Sequence, residues 1–209
     1  MKNVLKNIAL CQSLLVLSIA LLGGPNAIHA QEFGVMSTKD KADMKKIAVE
    51  KIRDLHFGFS KIASSTSTEI KESLIKTLLT EFAENASIEV ASRKKVSTYP
   101  IAYYLRMVLD SKYRKRYALV DIDFVSFKIN DELRPHETEL NTYYLDYEFV
   151  QRFSASKTAR PNKEGMLSYD YVDETRKKGS FKIKKENNHE GTIWRMYYED
   201  ITVKSLKIL

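Results

Sequence analysis

The sequence predicts an α+β protein in which three N-terminal helices pack on a strongly curved, mostly antiparallel sheet. Apolar residues recur at spacings of three and four over most of the stretch from Lys41 to Leu109. After Ser111 the period drops to two and stays there. In the last strand the alternation changes parity, which is what a β-bulge produces and how a sheet is made to curve.

The 209 residues suffice for one domain with a real hydrophobic core. Residues 1–30 have the layout of a secretory signal peptide. Lys2 and Lys6 supply the positive start and Leu14 to Leu22 the apolar run, and Gly23, Gly24 and Pro25 break it before Ile28, His29 and Ala30. That run is well short of the roughly 20 residues that span a bilayer, so cleavage between Ala30 and Gln31 is expected rather than a retained anchor. Cys11, the only cysteine, follows Leu10 and precedes the apolar run, the wrong order for a lipid anchor. The chain left after cleavage has no disulfide, thiol chemistry or thiolate metal site. An exported protein, periplasmic or extracellular, is the expectation. Its net charge of +7 falls to +5 when the two signal lysines leave. That dispersed excess suits an anionic envelope surface and gives no case for nucleic acid.

Residues 31–40 read as a flexible lead-in and 41–209 as the domain. A first helix is predicted from Lys41 to Ile62, with Met44, Ile47, Ala48, Ile52, Leu55, Phe59 and Ile62 on one stripe. Thr66 and Glu69 form a capping-box pattern for a second helix, whose buried face carries Ile70, Leu74, Ile75, Leu78, Leu79 and Phe82. Ser87 to Ala91 alternates as a short strand, the segment from Ser92 to Thr98 reads as a turn, and Pro100 stands where a third helix would begin. Ile101, Tyr104, Leu105, Val108 and Leu109 mark that helix's inner face.

The first long strand is expected over Arg116 to Ile129, with Ala118, Val120, Ile122 and Phe124 inward and Asp121 and Asp123 on the other face. The clearest strand alternates Tyr143, Leu145, Tyr147, Phe149 and Phe153 with polar residues. Ser154 to Gly165 reads as a hairpin loop, and Met166 to Lys185 as a long, poorly patterned strand with Phe181 and Ile183 inward. Trp194, Met196 and Tyr198 alternate in the last strand before Ile201 and Val203 resume on the opposite parity.

Glu81 to Leu109, EFAENASIEVASRKKVSTYPIAYYLRMVL, runs an acidic helix end into a short strand and a short helix. Together with the strands that follow, this resembles the cone-shaped fold of the nuclear transport factor 2-like superfamily over roughly residues 41 to 206. The resemblance implies helices packed into the concave face of a bent sheet, often around a pocket. It leaves function open, because that fold serves enzymes, ligand binders and interaction modules.

The candidate pocket lining is Tyr104, Tyr143, Tyr147, Phe149, Trp194, Met196 and Tyr198, which a packed core explains more readily. An isomerase-like or dehydratase-like site would need an acid or histidine inside the cone, and the inward faces read as holding tyrosines but neither of these. Asp121 with Asp123, His136 with Glu137 and Glu139, and His56 read as surface, loop and boundary groups, and no metal site or cofactor is expected. The expectation is therefore an exported, non-catalytic binding or interaction module. Its partner would be a small apolar ligand or another protein, with a homodimer through the exposed sheet face as one form. The alternatives are a small isomerase-like or dehydratase-like enzyme and a membrane-anchored envelope-assembly subunit resembling type IV secretion periplasmic domains.

Overall fold

Ser37 starts the first helix, its hydroxyl accepting a hydrogen bond from Asp40 N at 3.1 Å. In the computed structural model, which describes residues 35–158, 168–189 and 191–209, helix α1 runs Thr38–Ser64, beginning three residues before the start expected at Lys41. The described elements lie in the unit Met36–Leu209; the expected signal peptide and most of the expected Ser154 to Gly165 loop fall outside the described residues. The predicted stripe is the buried one: Met44, Ala48, Ile52, Leu55, Phe59 and Ile62 all belong to the core.

Helix α2 spans Thr68–Thr80, and its cap is Ser67, not Thr66: the Ser67 hydroxyl accepts from Ile70 N at 3.3 Å. Ile70, expected on the buried face, is exposed, while Ile75 and Leu78 are buried. Lys71 is buried as well, with its ammonium 2.6 Å from Asp110 on the third helix.

The turn expected from Ser92 to Thr98 is shorter than that. Strand β1, Ser87–Ala91, folds back through Ser92 to Lys95 into β2, Val96–Pro100, as an antiparallel hairpin. Pro100 therefore caps the third helix as the last strand residue, paired with Ser87, instead of occupying its first helical position. Helix α3 opens as an α-turn over Ile101–Tyr103 and continues as a π-helix over Tyr104–Lys112. All five predicted inner-face residues are buried.

Four long strands complete the sheet: β3 Leu119–Pro135, β4 Thr142–Ser156, β5 Tyr171–Asn188 and β6 Gly191–Ile208. Ala118, expected inward, is exposed and precedes β3. The strand order is β2-β1-β6-β5-β4-β3, antiparallel except where β1 meets β6 through Ile88 and Ile201. This α+β layout of three helices and a six-stranded, mostly antiparallel sheet is consistent with a nuclear transport factor 2-like cone.

The expected parity change in β6 is present. Between Gly179↔Ile201 and Phe181↔Tyr198 the partner strand advances three residues against two, and a second shift follows at Arg176/Lys177. Helices and sheet share one core, in which Tyr147, Phe149, Phe181, Tyr198, Phe59 and Leu105 are almost wholly buried.

Candidate functional site

Strand β5 builds the site. Its register with β4 runs unbroken from Tyr171↔Ala155 to Lys184↔Thr142, so its odd-numbered residues from 171 to 183 share one face. Phe181 and Ile183 close the apolar half of that face. The other half carries Tyr171, Asp173, Thr175 and Lys177, opposite Ala155, Phe153, Gln151 and Phe149 of β4.

This corrects the expectation that the inward faces hold no acid: Asp173 is 8% exposed and Lys177 2% exposed. The signal was available, since the parity of Phe181 and Ile183 carried back along β5 lands on both residues. Charged neighbours on the opposite face, Glu174, Arg176 and Lys178, hide the alternation.

A cavity of about 160 Å³ lies between this polar half, the end of β1 and the C-terminal part of α3. Tyr104, Tyr113, Gln151, Asp173, Thr175 and Lys177 line it, and the exposed Lys112 and Arg116 stand at its rim.

The π-helix is what brings both helix tyrosines here. Nine residues separate Tyr104 from Tyr113, and at about 3.6 residues per turn that is two and a half α-turns, which would set them on opposite sides. Bonding from i to i+5, at roughly 4.4 residues per turn, makes the same interval close to two whole turns. Both rings then face the cavity.

The charges inside are held apart. Asp173 and Lys177 are four residues apart on one strand, about 13 Å between Cα atoms at about 3.3 Å per residue, with Thr175 between them. The Lys177 ammonium instead donates to the main-chain carbonyl oxygen of Glu89 at 2.7 Å and lies 6.0 Å from the centre of the Tyr104 ring. Burial lowers Lys177 to about 7, against the opposing pull of Asp173 and Glu89. Burial raises the Asp173 carboxyl, an effect that Tyr171 and Lys177 partly offset.

Tyr171 is pushed up to about 12 by burial and by Asp173 beside it. Tyr104 and Tyr113 rise for the same first reason, so all three phenols remain neutral hydroxyl donors near pH 7. The Gln151 side-chain oxygen is buried here without a hydrogen-bond partner.

Of the seven residues singled out as pocket lining, Tyr104 lines this cavity. Tyr147, Phe149 and Tyr198 pack together in the core, with the Tyr147 ring 4.6 Å from that of Phe181 and 6.3 Å from that of Tyr198. Met196 is buried with them. Tyr143 accepts a hydrogen bond from Met36 N and meets Trp194 edge-on at 5.6 Å. Tyr198 also borders a separate groove of about 460 Å³ between α1 and α2.

The other candidates lie elsewhere. His56 stacks on Phe124 at 5.0 Å with Nε2 3.1 Å from Asp123, on the β3 side of α1. Asp121 and Asp123 are half-buried on the face opposite Val120 and Ile122. His136 begins the β3–β4 hairpin, where its Nδ1 accepts from Thr138 N and Glu139 N, and Glu139 turns to Lys182 and Lys184. Among the described residues, no three His, Cys, Asp or Glu side chains converge as a metal site.

The chain matches no family model, and no curated protein matches it in sequence. Solved structures similar to it include a type 2 hexachlorocyclohexane dehydrochlorinase, LinA, at 9% identity and a TM-score of 0.40, covering 80% of this chain and 93% of that one. The LinA type 3 enzyme of Novosphingobium barchaimii LL02 is 11% identical with a TM-score of 0.38, over 80% and 94% of the two chains. An NTF2-like protein of unknown function from Exiguobacterium sp. 255-15 is 10% identical with a TM-score of 0.27, over 73% and 94%.

Proposed function

We propose that the protein is an exported small-molecule binding module whose ligand occupies the cavity between α3 and β5, and that this ligand is small, polar and anionic. One observation carries the reading: Lys177, Asp173, Gln151, Tyr104 and Tyr113 converge on one cavity from three separate elements. A core that only needed filling would take apolar side chains there, because a buried ammonium and carboxylate held apart both cost free energy.

The cationic Lys112 and Arg116 at the rim outnumber the one carboxylate, Asp173, which favours an anion over the apolar ligand suggested by the sequence. The unpartnered Gln151 oxygen adds an acceptor for a ligand hydroxyl or a water. With a volume of about 160 Å³, the cavity is on the scale of a compact hydroxy or oxo acid.

Isothermal calorimetry with lactate, glyoxylate and pyruvate tests the reading on the chain from Gln31 to Leu209. Saturable binding that Lys177→Met and Arg116→Ala weaken, with folding intact by circular dichroism, supports it. An absence of binding across such acids overturns it. Export is tested separately by the mass of the mature chain, which should begin at Gln31.

A second reading, an acid–base enzyme, is favoured by one feature: Asp173 and Lys177 approach the same cavity as neutral tyrosine hydroxyls. Turnover of a bound hydroxy acid, abolished by Asp173→Asn, would establish it.

A further inference from the structure

Lys177 is placed unlike the other described lysines. Its side chain crosses the interior from the middle of β5 to reach the carbonyl oxygen of Glu89, and it is 2% exposed while still lining the cavity. The carbonyl occupies one N–H direction of the amine. Lys71, the other buried lysine among the described residues, is held by the Asp110 carboxylate at 2.6 Å.

We infer that Lys177 forms a covalent Schiff base with the carbonyl carbon of a small oxo acid bound in this cavity. The inference rests on the reading of the cavity as a site for small anionic molecules and adds a reaction to it.

The step balances without any further reagent. The amine lone pair attacks the carbonyl carbon and a carbon–nitrogen bond forms. The carbon–oxygen bond then breaks, and the oxygen leaves as water with the two amine hydrogens. No atom is oxidised or reduced, and the imine nitrogen takes up one proton to become an iminium ion.

The residues that line the same cavity fit each part of that step. Tyr104 and Tyr113 remain neutral hydroxyls that can hydrogen-bond the carbonyl oxygen while it takes up the amine hydrogens, and Asp173 on β5, whose charge already favours the protonated amine, can favour the positive iminium. The carboxylate of the oxo acid finds Lys112 and Arg116 at the rim. The amine itself is held near neutrality by burial, so a large fraction is the uncharged nucleophile at pH 7, which an exposed lysine near its usual value of about 10.4 is not.

The test is reductive trapping on the unaltered chain from Gln31 to Leu209. Glyoxylate is added with sodium cyanoborohydride at pH 7, and the adducts are mapped by peptide mass spectrometry, with lactate, which has no carbonyl, as competitor. The expected result is adduct at Lys177 on the order of tenfold or more above any exposed lysine, the direction set by its larger free-amine fraction. Excess lactate should suppress it.

Calorimetric binding of glyoxylate and lactate with Lys177 labelled no more than the exposed lysines would overturn the Schiff base and leave the binding site standing. If neither acid binds, the reading of the cavity fails and the Schiff base with it. Site mapping on the native chain makes the result independent of whether a Lys177 variant folds.

Discussion

The Nζ of Lys177 donates to the main-chain carbonyl oxygen of Glu89 at 2.7 Å, so an amine from the middle of β5 fastens β1 across the intervening strand β6. The Glu89 carboxylate in turn accepts from Val203 N at 2.7 Å, close to where β1 and β6 pair through Ile88 and Ile201. An ionisable group thus sits within the seam of the sheet.

Stability should therefore rise with pH above neutrality. The native state holds Lys177 at about 7 while the unfolded chain titrates it near 10.4, so between those values the unfolded state binds more protons. The cost of burying the charge is fully present below about pH 7 and is relieved as pH rises towards 10, by an amount on the order of a few kcal/mol. Urea unfolding from pH 6.5 to 9.5 should show wild type gaining on Lys177→Met across the series. Parallel curves would mean that the amine is not depressed.

Asp173→Asn should lower Lys177 further. The carboxylate is the largest of the influences that raise the amine, and removing its charge leaves burial less opposed. A side-chain NMR titration of Lys177 in the two proteins measures the direction, and an unchanged midpoint would show that Thr175 and the intervening distance already isolate the two charges.

How much of this was legible depended on which residues carried the pattern. The α1 stripe and the alternation of β4 could be read because apolar and polar side chains separate cleanly by face. On β5 the inner residues 173 and 177 are charged like their outward neighbours, so hydrophobicity carried no contrast and only parity, extended from Phe181, could have located them. The π-helix was hidden for a related reason. Residues 104, 105, 108 and 109 fit either winding, and Tyr113 alone distinguishes them. The hairpin partner β2 was missed because the burial of Val96–Pro100 alternates weakly at the sheet edge, with Val96 exposed.

Gly179 and Tyr147 should behave as a matched pair. They face each other across β4 and β5, and the Tyr147 ring lies over the space that a side chain at 179 would fill. Gly179→Ala should cost about 1–3 kcal/mol through overpacking. Tyr147→Phe should be neutral or stabilising by up to about 1 kcal/mol, because it deletes a buried hydroxyl that has no partner. Thermal unfolding of both variants checks the opposite signs.

The Lys71–Asp110 pair should show the asymmetry of a buried ion pair. Asp110→Ala strands an ammonium on a lysine only 7% exposed and should destabilise by about 3 kcal/mol, while a Lys71→Met, Asp110→Leu double variant should recover much of that loss. Equal losses in the single and double variants, measured by urea unfolding, would show that packing between α2 and α3 and not charge sets the cost.

Gln151 should separate stability from binding. Its side-chain oxygen is kept buried without a partner on the wall of the cavity, at an expected cost of about 1–3 kcal/mol to the empty protein. If a ligand hydroxyl meets that oxygen, Gln151→Met should raise the melting temperature slightly and weaken lactate binding several-fold in calorimetry. Tyr147→Phe serves as the control: it also removes an unpartnered polar group, but from the apolar core, and should stabilise without changing affinity. Equal lactate affinity in wild type and Gln151→Met would assign the orphan oxygen to packing alone and remove it from the site.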